Sequence, residues 1–116
     1  MRLIVAGSRH LDGQVFETAL AENGLHYITS IIVCRIGAID QAAVDWANAN
    51  NVQTSEFRIH ANRWAALGDG ARTECNNIMA YGAQGLLAIW DGSSRGTSDM
   101  ITTARRHGLK SYIKNV

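Results

Sequence analysis

The chain has 116 residues and reads as one domain, with material for a single core. Its 47% hydrophobic and 18% charged residues exclude a disordered chain, and a net charge of +1 without a basic run argues against nucleic acid as a partner. No apolar run approaches the roughly 18 residues of a membrane span, MRLIVAGSR lacks the long apolar core of a signal peptide, and two cysteines without metal-ligand spacing fit a reducing cytoplasm.

Leu3 to Ala6 is a short unalternating apolar run, the pattern of a strand buried on both faces. Gly7-Ser8-Arg9 ends it. Val15 to Leu20 has helical spacing, with Val15, Phe16, Ala19 and Leu20 on one face, and Asn23-Gly24 closes it. Ile28 to Cys34 is a second buried strand, and Arg35-Ile36-Gly37-Ala38 the next turn. Asp40 to Asn50 reads as a helix with Ala43, Val44 and Ala47 inward and Trp46 flanking them. Val52 to Ile59 alternates partly and carries polar residues, as an edge strand does.

His60 to Gly70 reads as a loop anchored by Trp64 and Leu67, and Arg72 to Tyr81 as a helix ended by Gly82. Leu86 to Trp90 is the most apolar strand. The loop after it, Asp91 to Gly96, leads into a new periodic segment that Thr97 opens, with a helix over Ser98 to Arg106 and a last strand over Leu109 to Lys114. Alternating strands and helices predict an α/β fold, a Rossmann-like three-layer sandwich around a five-stranded parallel sheet. With strand order 3-2-1-4-5, the winding reverses between the Leu3 and Leu86 strands. Ligands of such sheets sit outside the carboxyl ends of the strands at that point. The turns Gly7-Ser8-Arg9 and Gly92 to Thr97 then face each other across one crevice, with the Arg35 to Ala38 turn as its side wall.

This geometry suits an anion. A helix N-terminus presents unpaired N–H groups and a positive dipole end. Glycines let backbone approach a ligand, and Ser8, Ser93, Ser94 and Thr97 bring hydroxyls. The competing reading of the Asp91 to Thr97 stretch is a tight turn plus a helix cap. Arg9 and Arg95 end in forks that match phosphate, and Arg35 is a further candidate. Asp91 is open between a ribose hydroxyl and the cap of its own turn. Cys34 and Cys75 read as small buried residues rather than nucleophiles, the four histidines show no metal spacing, and Trp90 reads as a packing residue.

The motifs VAGSR at Val5 to Arg9, GAIDQAAVDWA at Gly37 to Ala47, the Trp64 to Met79 segment and DGSSRGTSDM at Asp91 to Met100 together resemble the SLOG superfamily. The resemblance is to its small stand-alone branch, related to the LOG phosphoribohydrolases and to the DNA-processing proteins of natural transformation. It implies a Rossmann-like fold, self-association, and a nucleotide or nucleotide-derived ligand in the crevice; apart from the resemblance, no cofactor and no metal are expected. Gly7, Ser8 and Arg9 match the first family turn, and Gly92, Gly96 and Thr97 the phosphate-binding turn. Asn76 and Met79 fall where a family arginine-asparagine pair and a methionine lie. The chain departs from the pattern in three places. Cys34 and its neighbours replace the paired glycines that begin the second family turn. Cys75 replaces the arginine before Asn76, and Arg72, one helical turn earlier, is its substitute. Met100 stands where LOG enzymes carry a catalytic glutamate, and Asp99 points about 100° away from that position.

The expected ligand-binding set is therefore Gly7, Ser8, Arg9, Arg35, Gly37, Arg72, Asn76, Asp91, Gly92, Ser94, Arg95, Gly96 and Thr97, with no catalytic residue. Three functions stay open: a binding or sensing module for a nucleotide-like small molecule, an N-glycosidase or deoxyribosyltransferase-like enzyme, and an interaction protein with a degenerate pocket. Met100 favours the first over the second. The two intact turns favour the first over the third. A homo-oligomer is expected from the resemblance.

Overall fold

The structure is a computed structural model that describes residues 1–34 and 37–116. Five strands, β1 (Arg2–Gly7), β2 (Ser30–Cys34), β3 (Gln53–Phe57), β4 (Gly85–Trp90) and β5 (Lys110–Asn115), form one parallel sheet in the order β3-β2-β1-β4-β5. This is the expected Rossmann-like α/β fold. The apolar runs of β1 and β4 lie side by side at its centre, and the polar β3 lies at an edge.

The central strands lack polar-apolar alternation because both their faces are covered. On one face Leu3, Val5, Ile31, Val33, Leu87 and Ile89 pack against α1 (Val15–Glu22) and α2 (Ala38–Ala49). Phe16, Ile39, Ala43 and Ala47 fill that layer. On the other face Ile4, Ile32, Leu86 and Ala88 pack against α4 (Asp69–Tyr81) and α5 (Arg95–Arg106) through Cys75, Met79, Met100 and Ile101. Leu3, Ile4, Leu86 and Leu87 are wholly excluded from solvent. Among the described residues no helix is long and apolar enough to cross a membrane.

Two expectations fail. The expected loop over 60–70 is instead a short helix, α3 (Ala61–Leu67), followed by a turn at Gly68 (φ 55°) and the start of α4. No residue of α3 is buried, so no apolar period marks it. Its alanines, arginine and leucine form a helix on local preference. Leu67, expected as an anchor, is 43% exposed. The second failure is at α5, which begins at Arg95 rather than Ser98. Its first helical bond runs from the Ser98 N–H to the Ser94 carbonyl, so the expected loop residues Arg95, Gly96 and Thr97 are its opening turn.

Candidate functional site

β1 and β4 end at the same level, with Gly7 paired to Ile89. The Ser8 N–H donates to the Ile89 carbonyl at 3.0 Å and carries the ladder one residue further. Gly7 lets α2 come close here. A Cβ on Gly7 would sit 2.6 Å from the Ile39 Cβ. Ser8 is 2% exposed and joins the two turns. Its Oγ lies 2.8 Å from the Ser94 Oγ and accepts the Asp91 N–H at 3.2 Å.

Asp91 caps its own turn. Its Oδ1 accepts the Ser93 N–H at 2.9 Å and the Ser94 N–H at 2.8 Å, and these two donors hold its carboxyl below the usual carboxylate range. His10 Nε2 lies 3.3 Å from Asp91 Oδ2. Gly92 supplies the positive φ (86°) that the turn needs. Trp90 Nε1 donates to the Ser94 carbonyl at 3.1 Å, a structural task. Asp91 and Gly92 therefore shape the turn from behind and do not line the crevice, although both belong to the expected binding set.

The crevice itself is a cavity of about 370 Å³. Of the expected set, Gly7, Ser8, Arg9, Arg72, Asn76, Ser94, Arg95, Gly96 and Thr97 line it. Gly37 does not. It packs beside the first turn, where a Cβ would meet the Arg9 Cα at 3.4 Å. Arg35 lies outside the described residues.

α4 supplies the second wall. Arg72 lies across the opening turn of α5: a Cβ on Gly96 would stand 3.4 Å from the Arg72 Nε. The Trp64 ring, 5.4 Å from the Arg72 guanidinium carbon, supports it by a cation–π contact, and Asp69 lies 3.6 Å from its Nη1. Asn76 is 5% exposed and donates through Nδ2 to Asp99 Oδ2 at 2.6 Å. Thr73 Oγ1 also donates to Asp99, at 3.3 Å. Asp99 thus ties α5 to α4 and orients Asn76. Glu74, a further carboxylate on α4, binds Arg63 (Nε to Oε1 3.2 Å).

Six lining residues lie outside the expected set besides Met100: Val5, Ala6, Cys34, Asp40, Asp69 and Met79. Met100, the expected structural methionine, also reaches the cavity wall and is 1% exposed. Asp40 is 4% exposed. The signal for it was present, because an acid opening the helix after a buried parallel strand starts at the crevice end of the sheet. Cys34 faces Cys75 across the β2–α4 contact. Its hydrogen bond to Cys75, then burial, and among lesser causes the charge of Asp40, push the Cys34 thiol well above its ordinary range. Among the described residues no cluster of histidine, cysteine, aspartate or glutamate has the makings of a metal site.

Of the helices whose first turns reach the cavity, α2 carries Asp40 and α4 carries Asp69 in that turn. α5 carries no acid there and opens with Arg95. The fold and the site together define a Rossmann-like domain with a crevice lined by Arg9, Arg72 and Arg95 and by the opening turn of α5, which holds no acid within that turn. Compared with known proteins, the chain matches no family model, no curated protein and no solved structure.

Proposed function

We propose that the chain is a binding or sensing module for a nucleotide or nucleotide-derived ligand. Its phosphate lies between the Gly7–Arg9 turn and the opening turn of α5. The observation that carries this reading is the contrast among helix starts. A helix start with no acid in its first turn attracts an anion, and here the N–H groups of Arg95, Gly96 and Thr97 precede the first helical bond, while the Asp91 carboxylate is taken up by the Ser93 and Ser94 N–H groups before them. Arg9, Arg72 and Arg95 stand around it on the cavity wall. The resemblance to the SLOG superfamily supports the same ligand class and extends the proposal to a homo-oligomer, and the two free cysteines, Cys34 and Cys75, fit a reducing cytoplasm. Light scattering at micromolar concentration tests the oligomer.

Binding without hydrolysis is the preferred form of this reading. Glycosidic cleavage passes through a positively charged sugar that a carboxylate stabilises. Met100 occupies the position that carries that carboxylate in LOG enzymes, while Asp99 and Glu74 are engaged by Asn76 and Arg63. Incubation with nucleoside monophosphates, followed by chromatography, is expected to release no base above the buffer rate.

A thermal-shift screen of nucleoside monophosphates, their nucleosides and inorganic phosphate tests the binding itself. A ligand at a hundredfold excess over Kd stabilises the native state by about 2.7 kcal/mol. Phosphorylated compounds are expected to raise Tm and nucleosides are not. Silence from every phosphorylated compound overturns the proposal.

A further inference from the structure

We infer that Cys34 and Cys75 form a reversible disulfide under peroxide, a bond that ties the crevice end of β2 to α4. The inference is independent of what the crevice binds.

The chain holds two cysteines, and the fold brings them together. Cys34 is the last residue of β2, and Cys75 lies in the middle of α4. Both belong to the apolar layer that α4 and α5 form with the sheet. Their side chains are hydrogen-bonded to each other. A disulfide needs side chains that point at one another, and two thiols that already share a hydrogen bond meet that need. Access to the pair is one-sided. Cys34 is partly exposed and lines the cavity, whereas Cys75 is 7% exposed. A small oxidant that enters the crevice therefore meets Cys34 first and finds Cys75 behind it.

The chemistry is complete with a peroxide as oxidant. The Cys34 sulfur takes a hydroxyl from hydrogen peroxide as the O–O bond breaks, and becomes a sulfenic acid. The thiol proton leaves with the other hydroxyl as water. The Cys75 sulfur then attacks the Cys34 sulfur, the S–O bond breaks, and the hydroxyl leaves as water with the Cys75 proton. Two electrons pass in all from the two sulfurs to the peroxide. Because the Cys34 thiol is held above its ordinary range, the first step is slow, and the reaction is followed to completion.

The bond encloses α2, β3 and α3 within a closed loop. It also fixes α4 on both sides of Cys75, where Arg72, Asn76 and Met79 line the cavity. Oxidation thus locks one wall of the crevice in place.

The competing role is packing alone, in which both thiols stay free under peroxide. The test treats the folded full chain with excess hydrogen peroxide, blocks the remaining thiols with iodoacetamide in denaturant, and reads the product by mass spectrometry. Both thiols are expected to disappear together with the loss of two hydrogens. Digestion should give a cross-linked Cys34–Cys75 peptide, and dithiothreitol should restore both thiols. The cross-linked chain is expected to melt about 5 °C or more above the reduced one, as for closure of a long loop in the unfolded chain. Two free thiols after exhaustive treatment overturn the inference. So does a sulfinic or sulfonic acid at Cys34 with Cys75 still free, or a disulfide between two chains. A cross-linked chain that melts below the reduced one overturns it as well, because the bond then formed in unfolded molecules.

Discussion

The first turns of α2 and α5 meet at the same cavity and are built with opposite sign. Both follow central strands of a parallel sheet, and both point a positive dipole end at the crevice. α2 fills its own end with Asp40, and Gly37, its cap residue, packs against the Arg9 backbone. α5 has no acid within its first turn, places Arg95 first, and carries Arg105 and Arg106 in its last turn, where they suit the negative end. The fold makes both helix starts available, and the side chains of one turn decide which of them carries an acid in that turn. The glycines divide in the same way: Gly7 makes room for a helix, and Gly92 makes a turn.

The comparison holds only if α2 is fixed in place, and that gives the largest expected effect. A Cβ at position 7 would overlap Ile39 near its backbone, not at a flexible tip, so α2 must move. Overpacking of this kind costs about 3 kcal/mol at the upper end of its usual range. Gly7→Ala is expected to lower the urea midpoint by a corresponding amount with an unchanged m-value. An unaltered midpoint means that α2 slides freely, and the contrast between two fixed helix starts is lost.

The next effect tests the sign of α5. Thr97→Val keeps the shape of a residue that is 4% exposed and removes its hydroxyl. Loss of a hydrogen bond to a charged group costs about 1.5–3 kcal/mol of binding, and Arg9→Ala is expected to cost a similar amount. Calorimetric titration with adenosine monophosphate measures both. Affinity that survives both substitutions moves the anion away from the start of α5 and leaves the two helix starts equivalent.

How far the sequence reveals all this differs between the sheet and the site. Unbroken apolar runs at Leu3 and Leu86 announce central parallel strands, because burial on both faces removes the alternation. Strand order and the meeting of the two glycine turns follow from connection rules. The α3 region is not legible, since an exposed helix buries no apolar stripe to set a period. Asp40 and Asp99 are harder for another reason. Each is a polar residue near a helix start, and only tertiary packing shows that Asp40 faces the cavity while Asp99 faces Asn76 and Thr73. Asp91 and Gly92 stand in the same loop as the cavity-lining Ser94. Hydrogen-bond direction, which a motif does not carry, separates the frame of the loop from its lining.

The smallest effect concerns that frame. The opening turn of α5 is held by Asp91, whose Oδ1 accepts the Ser93 and Ser94 N–H groups. Because these bonds favour the ionised carboxylate, the folded-state value lies below that of the unfolded chain. Such a group contributes stability that is fully present above the unfolded value, about 3.9 for aspartate, and that is lost as pH falls through the folded one. Asp91→Asn retains an acceptor and loses the charge. A His10→Ala background removes the other ionisable group at this carboxylate. In that background, the protein that keeps Asp91 is expected to exceed the Asp91→Asn variant in Tm by a constant margin between about pH 7 and pH 5, and the margin should close below about pH 4. A margin that persists to lower pH means that the turn is held by its shape and not by the charge. The start of α5 would then owe its position to Gly92 and the Ser8–Ser94 contact, and the helix could keep its exposed dipole end without any help from Asp91.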